Sequence, residues 1–149
     1  MKSKINLTIT GCLGRMGQQL IKSANKDKSI KLVALTENTL INKKISGIEP
    51  VLNSENAFSN SDVIIDFTVP NCTLKILSIA SKLKKKVVIG TTGFNKKEEN
   101  IIKKYSKRIP ILKAGNMSLG VNLLMYLTEI ASKSLSDNYL AKVYEVHHK

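Results

Sequence analysis

A strand-length alternation that breaks on a run of glycines sets the strongest constraint on this chain. Ile5, Leu7 and Ile9 alternate with Asn6, Thr8 and Thr10, a period of two that reads as a strand ending at Gly11. Met16, Leu20 and Ala24 then recur at helical spacing, which predicts a helix from about Gly14 to Asn25, and Ile30 to Thr36 forms a second apolar strand. Together they make a β-α-β unit of the size that a right-handed crossover requires.

The same grammar continues. The stretch from Asn38 to Asn60, with Gly47 and Pro50, reads as a loop plus a short helix. Val63–Phe67 is an apolar run interrupted only by Asp66, as in a strand buried on both faces. Pro70 opens a helix through about Leu83, and Val87–Ile89 is the next strand. A helix carrying Ile101, Ile102 and Tyr105 leads to the strand Ile109–Leu112. The fold class is therefore α/β, a doubly wound (Rossmann) parallel sheet over residues 1–116. Near residue 116 the pattern changes. Ser118 is placed to cap a helix from Leu119 to about Leu135, and Leu140–His147 reads as a strand reaching the last residues. Residues 117–149 are expected to begin a second, α+β domain that is incomplete here.

Composition narrows the function classes. The net charge of +13 raises nucleic-acid binding, but only Arg15 and Arg108 are arginines, and the lysines are spread through most of the chain. Base-edge readout favours Arg, and a phosphate-binding face clusters its charge, so no nucleic-acid partner is expected. No apolar run has the length of a membrane span, and no membrane partner is expected. Cys12 and Cys72 show no pairing or CxxC spacing, which argues against a disulfide scaffold or zinc site and for a reducing cytoplasm.

Gly11-Cys12-Leu13-Gly14-Arg15-Met16-Gly17 sits between a strand and a helix, where a dinucleotide pyrophosphate rests on helix N–H groups. An ordinary glycine-rich turn is the alternative. Glu37 ends the second strand 20 residues after Gly17, where a carboxylate accepts hydrogen bonds from ribose hydroxyls. Asp66 is expected to play a structural part, capping N–H groups of the turn that follows. Gly90-Thr91-Thr92-Gly93 and Ala114-Gly115-Asn116-Met117 follow two further strands and face the same crevice. His147 and His148 are adjacent, with no third ligand evident, so no metal site is expected. One is a natural proton donor and the other a partner for a substrate carboxylate; two surface histidines are the alternative.

Gly11–Gly17, Asp66-Phe67-Thr68, Gly90-Thr91-Thr92-Gly93-Phe94, Asn116–Asn122 and Glu145-Val146-His147-His148-Lys149 occur in the order seen in bacterial dihydrodipicolinate reductases, and over its whole length the chain resembles that family. The resemblance implies a cytoplasmic NAD(P)H-dependent oxidoreductase of diaminopimelate and lysine biosynthesis, a homotetramer when full length, acting on a cyclic dicarboxylate. It implies that Gly11, Cys12, Leu13, Gly14, Arg15 and Met16 bind the pyrophosphate. Gly90, Thr91, Thr92, Ala114, Gly115, Asn116 and Met117 would hold the nicotinamide. His147 would be the proton donor and His148 the substrate-binding residue.

Two departures stand out. The family's catalytic Lys and Ser-Gly-Thr loop lie beyond Glu-x-His-His, and Lys149 is not that Lys by position. The chain as given is thus expected to bind cofactor without turnover. Thr36-Glu37 stands where NADPH-using members carry an Arg, so NADH is favoured over NADPH, with Lys43 and Lys44 as sources of compensating charge. A non-catalytic nucleotide-binding module and a basic nucleic-acid-binding protein are the competing readings.

Overall fold

The computed structural model describes residues 3–135, 138–144 and 146. The chain divides into two units, Met1–Gly115 and Asn116–Lys149. In the first, β1 (Ile5–Thr10) is followed by α1 (Arg15–Lys26), β2 (Ile30–Glu37), β3 (Val51–Leu52), α2 (Glu55–Ser59) and β4 (Val63–Asp66). Then come α3 (Pro70–Lys82), β5 (Lys86–Ile89), α4 (Lys96–Tyr105) and β6 (Ile111–Lys113). The six strands pair in parallel in the order β3-β2-β1-β4-β5-β6. This is the doubly wound sheet expected, and its direction of winding reverses between β1 and β4. A crevice opens at such a reversal, beyond the carboxyl ends of the two strands.

Successive strand residues point to opposite faces, and the sheet separates two cores, with β4 contributing to both. Leu7 and Ile9 of β1, Leu35 of β2 and Ile21 and Ala24 of α1 form one, with Val63 and Ile65 of β4 packed against it. Ile64 of β4 belongs to the other, with Phe58, Ile76, Leu77, Ala80, Val87, Ile89, Ile102 and Ile109. The polar alternates of β1 are buried as well. Thr8 and Thr10 are both fully inaccessible, and the Thr8 hydroxyl lies 2.6 Å from that of Ser61.

Local signals start the helices. Pro70 occupies the first turn of α3, where its missing N–H costs nothing. Asn95 and Glu98 close a reciprocal capping box at α4. Between residues 38 and 60 the expected short helix is α2, capped by the Ser54 hydroxyl. The two-residue β3, paired through Thr36–Val51 and Glu37–Leu52, is an addition too short to leave a periodic signal.

In the second unit, α5 (Leu119–Ser134) begins at Ser118, whose hydroxyl accepts from the Val121 N–H at 3.3 Å. The strand expected over Leu140–His147 is not formed at Leu140–Tyr144 or Val146. Among the described residues no strand pairs with this segment, and a strand needs a neighbour for its backbone hydrogen bonds. Glu145, His147, His148 and Lys149 lie outside the described residues.

Phe58, fully buried on the short helix α2, fills the core beneath α3. Phe58→Ala is expected to destabilise the first unit by about 3–5 kcal/mol, the cost of removing a buried aromatic ring. A urea titration followed by circular dichroism measures it, and a loss under about 1 kcal/mol would show that α2 is not part of the core.

Candidate functional site

The reversal point brings together three segments that lie far apart in the sequence. Thr10 aligns with Thr36 on one side and with Asp66 on the other, so the segments after β1, β2 and β4 leave the sheet side by side. After Thr10 the chain turns at Gly11, whose φ of +63° is a left-handed conformation that favours glycine. A Cβ there would also sit 2.7 Å from the Thr68 methyl. At Gly17 an added Cβ would meet the Gly11 carbonyl oxygen at 2.2 Å, so α1 packs against the turn at backbone distance. α1 begins at Gly14 with no side-chain cap and no acidic residue in its first turn. Its leading N–H groups and the positive end of its dipole are left for an anion.

Glu37 stands across from that helix start. Its Oε2 accepts from the Leu13 N–H at 3.1 Å and its Oε1 from the Asn38 N–H at 3.0 Å. Two adjoining clefts meet here. One, about 270 Å³, is lined by Gly11, Gly14, Glu37, Phe67, Thr68 and Cys72 among others. The second, about 320 Å³, runs along α3 past Asn53, Asn71, Cys72 and Lys75. A glycine turn, an uncapped helix start, a strand-end carboxylate and a flanking cleft are what a dinucleotide's pyrophosphate and adenosine ribose require. Among the described residues no cluster of His, Cys, Asp or Glu could hold a metal ion.

Asp66 is fully buried and does not cap backbone N–H groups as expected. Its carboxylate instead accepts from four threonine hydroxyls. Oδ1 takes Thr10 at 2.7 Å and Thr68 at 2.6 Å; Oδ2 takes Thr73 at 2.5 Å and Thr91 at 3.3 Å. A backbone cap serves one turn, whereas this arrangement gathers hydroxyls from four segments, those of Thr10, Thr73 and Thr91 on buried residues. The Thr91 hydroxyl also accepts from the Thr68 N–H at 3.0 Å. Beside it the Phe67 ring lies so close to Gly90 that a Cβ would fall 2.1 Å from ring carbons.

The other expected site residues separate by placement. Cys12 is buried, while Leu13, Gly14, Arg15 and Met16 are exposed around the start of α1. Thr91 is buried in the Asp66 cluster and Thr92 is exposed. The loop they share ends at Phe94, whose ring centre lies 5.2 Å from the Lys113 ammonium, which also pairs with Glu99. Ala114 donates its N–H to the Ile89 carbonyl, which holds the end of β6 beside the same loop. Asn116 and Met117 belong to the second unit, where the Asn116 side chain accepts from the Ser118 N–H. Lys43 and Lys44 are exposed and line neither cleft; Lys75 does. Sequence reading missed Asn53, Asn71, Cys72 and Lys75. A signal existed for the last three, because their spacing puts them on adjoining rows at the start of α3.

The family profile described as dihydrodipicolinate reductase, N-terminus, matches residues 5–117. The chain belongs to the dihydrodipicolinate reductase family. The 4-hydroxy-tetrahydrodipicolinate reductase of Pelagibacter ubique is 75% identical over 98% of this chain and 57% of its own length. That of Bartonella tribocorum is 38% identical over 97% of this chain and 58% of its own length. The chain thus spans a little over half the length of these curated relatives. A solved structure of dipicolinate-bound dihydrodipicolinate reductase from Paenisporosarcina sp. TG-14 superposes with a TM-score of 0.73 at 23% identity, covering 87% of this chain and 54% of that one. A Rex-family repressor solved in complex with β-NADH gives 0.60 at 12% identity, covering 89% and 62%. At such identities the likeness is one of fold. No described helix is long and apolar enough to cross a membrane.

Cys72 offers a probe of this reductase-family cleft. Burial pushes its thiol above the ordinary value, and the charges of Asp66 and Glu37 push the same way; burial does likewise for Cys12, followed by Glu37. A raised pKa keeps the thiol protonated at neutral pH, and only the thiolate is the nucleophile. Iodoacetamide labelling of Cys72 is expected to be slower than that of a free thiol at pH 7 and to rise at a higher pH. Mass spectrometry of the Cys72 peptide across a pH series reads this. A midpoint at or below that of a free thiol would contradict the cleft's electrostatics.

Proposed function

We propose that this chain is the cofactor-binding part of an NAD(P)H-dependent 4-hydroxy-tetrahydrodipicolinate reductase serving diaminopimelate and lysine biosynthesis in the cytoplasm. The 75% identity to the Pelagibacter ubique enzyme over nearly the whole chain is the observation that carries it. The bound dinucleotide supplies the hydride. The chain's own residues do the holding: the free N–H groups at the start of α1 meet the pyrophosphate, and Gly11 and Gly14 let it approach the backbone. Glu37 accepts from the adenosine ribose hydroxyls. Gly90, Thr91 and Thr92, with Ala114–Met117, flank the nicotinamide. His147 donates the proton to the reduced substrate, and His148 pairs with a carboxylate of the cyclic dicarboxylate. Residues 117–149 open the substrate-binding part, through which a homotetramer forms.

Glu37 makes NADH the preferred cofactor, because a carboxylate bonds a free ribose diol and repels a 2′-phosphate. Lys75 lines the same cleft and carries the opposing charge there. In titrations the unmodified chain is expected to bind NADH more tightly than NADPH. Glu37→Arg should move the ratio toward NADPH by about tenfold or more, the scale of one hydrogen bond to a charged group. Tighter NADPH binding by the unmodified chain would refute the assignment of Glu37.

The histidine roles are tested in a chain of the relatives' length. His147→Ala is expected to lower kcat about 10²–10⁴-fold with a smaller change in KM, since general acid catalysis acts in the transition state. His148→Ala should chiefly raise KM. An unchanged kcat in the first variant would remove His147 from the mechanism.

A further inference from the structure

The segment Asp66-Phe67-Thr68 touches both loops that the cofactor reading invokes. The Thr68 methyl lies against the Gly11 turn, and the Phe67 ring lies against Gly90. The Thr68 N–H is donated to the Thr91 hydroxyl. Both hydroxyls then converge on one carboxylate, Thr68 on Oδ1 and Thr91 on Oδ2 of Asp66. Thr68 is β-branched, so its two arms turn together about one bond. Fixing its hydroxyl on Asp66 therefore fixes where its methyl stands beneath Gly11.

The remaining two hydroxyls serve a different purpose. Thr10 and Thr73 each have a second acceptor in reach, the Ile65 carbonyl at 3.3 Å and the Val69 carbonyl at 3.2 Å. No second acceptor is found for the Thr91 hydroxyl among the described residues; the Thr68 hydroxyl, besides its 2.6 Å bond to Asp66, has the Cys72 Sγ as a further partner. The carboxylate offers about four lone-pair sites, and the four threonines occupy them all. Thr10 and Thr73 tie it to β1 and α3; Thr68 and Thr91 take their orientation from it.

We propose that Asp66 is a positioning residue for the dinucleotide: through Thr68 and Thr91 it links the Gly11 turn to the Gly90 loop. The pyrophosphate and nicotinamide ends of the cofactor then meet one rigid surface in place of two independent loops. The inference rests on the cofactor reading above and goes beyond it by assigning the coupling between the two ends to a side chain that touches neither.

The test uses Thr68→Val and Thr91→Val, which keep shape and remove one hydroxyl each, with Thr68→Ser and Thr91→Ser as conservative partners. NADH binding is followed by the fluorescence of the reduced nicotinamide, at a temperature where circular dichroism shows each variant folded. Each valine variant is expected to weaken NADH about tenfold; Thr91→Ser should restore it to within about threefold, whereas Thr68→Ser, which keeps the hydroxyl but lacks the methyl beneath Gly11, should not. The double valine variant should lose far less than the hundredfold product, because either change already breaks the link. A second readout needs no ligand: in Thr91→Val the amide resonances of Gly11 and Cys12 are expected to shift, although Thr91 makes no hydrogen bond to that turn. If a valine variant does not fold, Asp66→Asn takes its place in both measurements, since Thr10 and Thr73 keep their carbonyl acceptors.

Folded variants with unchanged NADH affinity overturn the proposal, and so does a double variant that shows the full product. A Gly11 resonance unmoved in Thr91→Val overturns the link itself. Failure of the unmodified chain to bind NADH overturns the cofactor reading, an outcome separate from these.

Discussion

One buried carboxylate holds the carboxyl edge of this sheet together. Removing a charge from water is costly, and it persists in an interior only where hydrogen bonds fill its lone pairs. Asp66 meets that demand with hydroxyls from the end of β1, the loop after β4, the second turn of α3 and the loop after β5. Without the carboxylate the buried Thr91 hydroxyl would be left unsatisfied, at about 1–3 kcal/mol, whereas Thr10 and Thr73 have carbonyl acceptors in reach. The carboxylate depends on all four hydroxyls, and Thr91 in turn depends on the carboxylate. The crevice at the strand reversal inherits its shape from them.

The helices and most strands were legible because their burial is periodic. Ile76 and Ala80 on α3 repeat at the spacing that one buried helix face dictates, whereas on α1 the expected stripe of Met16, Leu20 and Ala24 is displaced: Gly17, Ile21 and Ala24 are buried and Met16 is exposed. What the pattern could not convey is where polar residues go. Thr8 and Thr10 alternate with Leu7 and Ile9 as in any strand, and nothing local says that their face is sealed by Ser61 and Asp66. Asp66 was recognisable as a buried structural carboxylate, but its partners come from as far as 56 residues away, beyond the reach of local reasoning. β3 is too short for a period, and the strand expected from Leu140 requires a neighbour that the described residues do not provide.

The site was legible to a similar depth. Glycines between a strand and a helix, and an acid at the end of the next strand, are features of spacing and survive in the structure as the Gly11 turn and Glu37. The wall of the cleft was not, because Asn53 follows the two-residue β3 and Asn71, Cys72 and Lys75 lie on α3, and only the tertiary structure brings them to the cleft that Glu37 lines. Glu37 is also more committed than spacing implied. Its hold on the Leu13 N–H ties the strand-end acid to the glycine turn and fixes the carboxylate's orientation.

The pairing of β1 with β4 has a consequence for the order in which the chain assembles. β1, α1 and β2 are consecutive and have a core of their own; α3, β5 and α4 supply most of the other. Contacts between near neighbours close cheaply and early, whereas the Thr10–Asp66 bond must close a separation of 56 residues. The crevice lies on that seam. It therefore exists only once both halves have met, and neither half presents a partial version of it. A ligand that binds there recognises the completed sheet alone, and its binding energy is added to the stability of the sheet as a whole.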